Sequence, residues 1–199
     1  MVRAGLFICT LTFLLAGLFS QLPGQSLAEM QKWHVAAEKG GLAEADKAIR
    51  QFEDVLVSNP ANALARVYLG SSQTLRSRAL GYGPEKLRTL RLGGDLMDAA
   101  VVAAPKDPLV RLIRAVNFLQ IPTVFGKRAV AHADFDILLV AIKEKDLTLT
   151  PDERGAIYYF GGVSLQQRKR KSEARAAWQE GLKIAEDKNL ISKLKKKVP

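Results

Sequence analysis

Ala48-Ile49-Arg50-Gln51-Phe52-Glu53-Asp54-Val55, running into Asn59-Pro60, is the stretch from which the fold is read. Ala48, Phe52 and Val55 stand four and three residues apart, which places them on one helical face. The small residue admits a neighbouring helix, the ring fills the space beside it, and Asn59-Pro60 closes the segment. Upstream, Glu29 to Gly40 predicts a first helix with Trp33, Ala36 and Ala37 on or near its packing side, and Gly40-Gly41 supplies the turn. The stretch is therefore the second helix of a helix-turn-helix unit.

The same arrangement returns near the other end of the chain, as Gly162, Ala174 twelve residues later and Trp178 four after that. Gly70 lies 34 residues beyond Ala36, and Ala115 lies ten beyond Pro105, again at small-residue positions. This spacing resembles the tetratricopeptide repeat, a 34-residue helical hairpin with small residues where its helices cross. The match is carried by 29–62 and 155–188, with Ala36, Ala48, Phe52, Gly70, Ala115, Gly162, Ala174 and Trp178 at the repeat's core positions. The resemblance implies an all-α fold of stacked antiparallel hairpins forming a right-handed solenoid. The hairpins fall at 29–60, 61–104, 105–145 and 151–188.

Two segments break the pattern. Gly81-Tyr82-Gly83-Pro84 is a loop where the repeat allows a short turn, and Ile121-Pro122-Thr123-Val124-Phe125-Gly126 interrupts the third hairpin. Gly93-Gly94 is a candidate break in the helix over 85–104. Thr150-Pro151-Asp152-Glu153 has the form of a helix start. No stretch alternates with a two-residue period long enough to predict a sheet.

The first 28 residues read separately. Arg3 gives a positive start, Leu6 to Phe19 is an almost wholly apolar run of 14 residues, and Ser26-Leu27-Ala28 suits a signal peptidase. The competing reading, an uncleaved anchor, needs roughly 20 apolar residues. Residues 1–28 are expected to be a signal peptide cleaved after Ala28, followed by a repeat domain over 29–190 and a basic tail over 191–199. Export to a periplasmic or extracellular space follows. The single cysteine, Cys9, lies in the apolar run, so the processed chain has no disulfide and no thiolate chemistry.

Residues 29–199 hold 29 basic and 20 acidic side chains, a net +9. Residues 63–128 carry the largest share of the excess, with 11 basic and 4 acidic. In an exported protein this points to an acidic protein or peptide partner, or to an anionic membrane surface or envelope polymer, and away from nucleic acid. Arg66, Arg76, Arg78, Lys86, Arg88 and Arg91 flank the glycine loop, and Arg111 and Arg114, three apart, can share a face. The first helices of stacked hairpins line a concave side, so the resemblance implies a groove containing Arg66, Tyr68, Arg111 and Asn117. The expected work is that of an adaptor holding a partner in a basic groove. Attachment to an anionic surface through the basic tail and turns is the second reading.

Catalysis has little support. His34 and His132 are the only histidines; His34 lies beside Trp33, and His132 reads as a surface residue. His132, Asp134 and Asp136 are two apart and diverge on a helix, which argues against a shared metal. Ser71, Ser72 and Ser164 have no histidine close in sequence. Gly126-Lys127-Arg128 could cradle an anion at a helix start or be an ordinary solvated one. Neither a cofactor nor an enzymatic activity is expected.

Overall fold

The structure, a computed structural model, describes residues 26–144 and 148–198. The signal segment lies almost entirely outside the described residues. Those described are all-helical: α1 Leu27–Ser58, α2 Ala63–Ala79, α3 Pro84–Ala103, α4 Pro108–Gln120, α5 Lys127–Ala141, α6 Pro151–Gln167, α7 Lys171–Ile184 and α8 Lys188–Lys195, with one 3-10 turn at Thr123–Phe125. Gly41 bends α1 into two arms, its φ of 71° lying in the left-handed region that glycine enters without a steric cost.

Local chemistry sets the helix starts. The Asp107 carboxylate accepts from the N–H groups of Leu109 and Val110 at 2.9 and 3.1 Å, ahead of a proline in the first turn of α4. Thr150 and Glu153 exchange hydrogen bonds of 3.2 and 2.8 Å as a capping box for α6. Ser26 caps α1 by accepting from Glu29 N–H at 3.3 Å. Cleavage after Ala28 would remove that cap. Among the described residues no helix is long and apolar enough to cross a membrane.

Helices pack in chain order, and α2 also touches α4, which in turn touches α6. Where α2 crosses α3 the two backbones approach closely. A Cβ at Gly70 would stand 2.7 Å from Gly93 O, and one at Gly93 would stand 2.6 Å from Gly70 O. This explains why α3 runs unbroken through Gly93-Gly94, where the sequence offered a break. Both glycines are buried, and close packing outweighs their poor helix propensity. A side chain at Gly162 would overlap the Trp178 indole, whose Nε1–H donates to Tyr159 O at 3.0 Å.

Of the residues that the resemblance assigns to core positions, Ala48, Phe52, Gly70, Ala115, Gly162, Ala174 and Trp178 are buried. Ala36 is half-buried and its neighbour Ala37 takes the buried place. The apolar interior has two parts. The larger runs from Met30 to Ile157 and includes Phe52, Val67, Phe118 and Phe135. The smaller joins Leu165, Ala174, Ala177, Trp178 and Leu194, and Leu139, Tyr158 and Val163 touch both.

The end of the chain differs from the expected tail. Residues 188–195 form α8, capped by the Asp187 carboxylate accepting from Leu190 N–H at 2.7 Å. Leu194 is fully buried against Gly181, and Leu190 lies over Gly155. Leucines four apart on one side of a lysine-rich helix give it an apolar face to dock.

Candidate functional site

The two segments at which the expected repeat pattern breaks come together. Leu80 to Gly83 joins α2 to α3, and Ile121 to Gly126 joins α4 to α5. Both line one cleft of about 750 Å³. Its walls are mostly apolar: Pro84, Leu87 and Leu90 from the start of α3 face Ile121, Pro122 and Phe125 from the second segment. Thr74 and Ser77 of α2 lie at the cleft as buried hydroxyls with partners of their own. Ser77 donates to Lys86 O at 3.0 Å, and Thr74 Oγ1 lies 2.7 Å from Ser71 O and 2.9 Å from Asn117 Oδ1.

The charged groups at the cleft's edge, Arg78 and Lys86, are both cationic. Arg78 Nη2 donates to Gln120 Oε1 at 2.8 Å, an exposed bond to a neutral acceptor. Lys86 Nζ donates to Leu80 O at 3.0 Å and stands 5.7 Å from the centre of the Tyr82 ring. Tyr82 itself is fully solvent-exposed. Neither Arg78 nor Lys86 has an acidic partner among the described residues. A carboxylate is a stronger partner for a guanidinium than the amide oxygen of Gln120. The cleft can therefore take an apolar group and an adjacent negative charge.

Several other cations of the middle region are occupied within the fold. Arg111 Nη1 and Arg114 Nη2 each donate to Asp134 Oδ1 at 2.7 Å, and Arg114 Nε donates to Asp134 Oδ2 at 2.8 Å. Arg114 Nη1 reaches Asp98 Oδ1 at 3.0 Å, and Lys127 Nζ reaches Asp98 Oδ2 at 2.7 Å. This chain of charges ties α3, α4 and α5 together and uses Lys127, so the Gly126-Lys127-Arg128 segment does not offer two free cations. Arg76 pairs with Asp46 at 2.7 Å and Glu85 at 2.9 Å, and the hydrogen bond to Asp46 chiefly raises its pKa. Arg66 bonds to Pro60 O.

Tyr68 and Asn117 are buried. Tyr68 stacks on Phe52 with ring centres 5.6 Å apart, and burial above all pushes its hydroxyl pKa up. Asn117 anchors a polar chain: Ser71 Oγ donates to its Oδ1 at 3.2 Å, and His34 Nε2 lies 2.7 Å from Ser71 Oγ. Burial lowers the His34 pKa, with nearby Glu38 opposing it. His34, Leu75, Ile113, Asn117 and Ala156, from α1, α2, α4 and α6, help to line a groove of only about 120 Å³. Arg78 and Gln120 line both this groove and the larger cleft, so their hydrogen bond lies between the two.

His132, read as a surface residue, is half-buried. His132 Nδ1 lies 2.8 Å from Ser164 Oγ, and burial followed by Arg168 lowers its pKa. Ser71 and Ser164 are themselves buried, so neither pair presents a hydroxyl to a solvent-borne substrate. Asp136 turns instead to Arg168 in a bidentate pair of 2.7 Å bonds, which hold its pKa below the usual carboxylate range. Thus His132, Asp134 and Asp136 turn to different partners, Ser164, the Arg111–Arg114 pair and Arg168.

Sequence reasoning missed the cleft because it placed the site on helix faces. The available signal was in the second interruption, whose Ile121 and Phe125 are large apolar residues that an ordinary surface turn would not need. Comparison with protein-family models, characterised proteins and solved structures finds no match to this chain.

Proposed function

We propose that this protein is an exported adaptor, built as a tetratricopeptide-like solenoid, that holds an apolar segment of a partner protein flanked by acidic residues. Four hairpins in sequence and the contacts of α2 with α4 and α4 with α6 support the repeat reading. The N-terminal charge and apolar run support export. One observation carries the choice of docking site: both departures from the repeat line a single apolar cleft edged by Arg78 and Lys86. The volume lies within the range of roughly 300–1,000 Å³ common to ligand pockets. Two or three large side chains of a partner segment would lie in it, with Arg78 and Lys86 facing its acidic neighbours. The basic groove of this adaptor is then the cleft between loops, with Arg111 and Arg114 serving the scaffold.

The test is selection from a random ten-residue peptide library displayed on phage. Recovered peptides are expected to place a large apolar residue within two positions of Asp or Glu. Arg78→Gln combined with Lys86→Gln should weaken such peptides about tenfold or more, since a hydrogen bond to a charged group contributes about 1.5–3 kcal/mol. Leu87→Glu, at a residue 45% exposed and safe for the fold, should abolish binding. Peptides that bind the Leu87→Glu variant as well as the parent would move the site elsewhere. A failure to recover any peptide would reject the reading of the cleft as a peptide site.

A further inference from the structure

The helix that closes the fold, α8, has two faces of different character. Leu190 and Leu194 are turned to Gly155 and Gly181, so this side is spent on packing. Lys188, Ile191, Ser192, Lys195 and Lys196 recur at helical spacing on another side and line a shallow depression of about 520 Å³. Lys193 is also exposed. Among the described residues, Lys188, Lys193, Lys195 and Lys196 have no ion-pair partner. Elsewhere in the fold Arg76, Arg111, Arg114, Lys127, Arg168 and Arg170 meet carboxylates, while other cations, Arg78 and Lys86 among them, do not. The acids adjoining α8 have local roles or are few. Asp187 caps the helix, Asp152 accepts from the N–H groups of Glu186 and Asp187 at 2.9 and 2.8 Å, and the Glu186 side chain is exposed.

We propose that the outer face of α8 docks the protein on an anionic phospholipid surface. Lysine suits this task, since its compact ammonium needs no bidentate partner and its stem reaches a diffuse layer of charge. The half-exposed Ile191 among the lysines favours a bilayer over a soluble polyanion, because an interface accepts an apolar side chain beside cationic ones. The leucine face is committed to α6 and α7, so attachment is peripheral, reversible and sensitive to salt. The cleft is lined from α2, α3 and the segment after α4, whereas α8 packs on α6 and α7. The two sites are built on different elements, and docking through one leaves the lining of the other untouched. This inference goes beyond the adaptor reading and does not depend on it.

Co-sedimentation with vesicles tests it, using a chain that starts at the α1 cap, Ser26, and is first checked for cooperative unfolding. Vesicles of phosphatidylcholine alone are compared with vesicles holding three parts in ten of phosphatidylglycerol. The chain is expected to sediment with the anionic vesicles at 50 mM salt and to release near 500 mM. At about fivefold per lysine, Lys188→Gln, Lys195→Gln and Lys196→Gln together should lower partitioning about a hundredfold. Lys32→Gln, Lys39→Gln and Lys47→Gln together, on α1, should cost much less. Equal losses from the two triple variants would mean a response to net charge alone and would overturn the assignment. So would binding to neutral vesicles at the same level, no binding at low salt, or tighter binding to long-chain polyphosphate than to the anionic vesicles. Loss of vesicle binding with peptide selection unchanged would separate this site from the cleft.

Discussion

Replacing Asp134 with alanine is expected to remove about 3–5 kcal/mol of stability, the usual cost of breaking a buried ion pair from one side. Its side chain is 2% exposed and accepts three hydrogen bonds, while the Arg111 and Arg114 side chains are 13% and 11% exposed. Without the carboxylate, two guanidinium groups remain close together with little water to solvate them. Asp134→Asn should lose nearly as much, because an amide offers one acceptor oxygen where the carboxylate offered two. Chemical denaturation reads both variants. A midpoint within experimental scatter of the parent would show that Asp134 is not the clamp between α4 and α5. Reversing Arg111 and Arg114 to glutamate should be worse still, since it sets acids beside Asp134 and Asp98. That double variant would report on folding and could not serve as a clean binding test.

Phe52→Ala is expected to cost about 3–5 kcal/mol, as large aromatic truncations in a core do. Phe52 is wholly buried, with the Trp33 ring centre at 5.5 Å and that of Tyr68 at 5.6 Å, so alanine would open a cavity between α1 and α2. Trp178→Ala should cost a similar amount in the smaller interior, where it also removes the bond to Tyr159 O. Urea denaturation followed by far-ultraviolet circular dichroism gives both values. If Phe52→Ala unfolds like the parent, the packing assigned to the first hairpin is wrong.

The helices were legible in the sequence because their signals are local. Apolar spacing, prolines in first turns and the Thr150 capping box act within a few residues. The unbroken α3 was not legible, since what holds Gly93 is Gly70, on another helix. The role of Arg111 and Arg114 was hidden for the same reason, because their shared acid lies 23 and 20 residues away. A lysine-rich terminus concealed α8, although Asp187 and the spacing of Leu190 and Leu194 marked a short amphipathic helix. The cleft depends on two loops about forty residues apart becoming neighbours. Nothing within either loop announces the other.

The division of the interior into two parts also bears on how the molecule opens. Local openings follow seams where few buried groups bridge, and amide exchange reports their free energies. Here the seam runs along α6, with Leu139, Tyr158 and Val163 as the shared side chains. The α7–α8 end should therefore open as a unit while α1 to α5 stay closed. Its amides should exchange sooner than those of α2 and α4, and an attachment that holds α8 should slow them selectively. Uniform protection along the chain would mean that the seam does not divide the molecule.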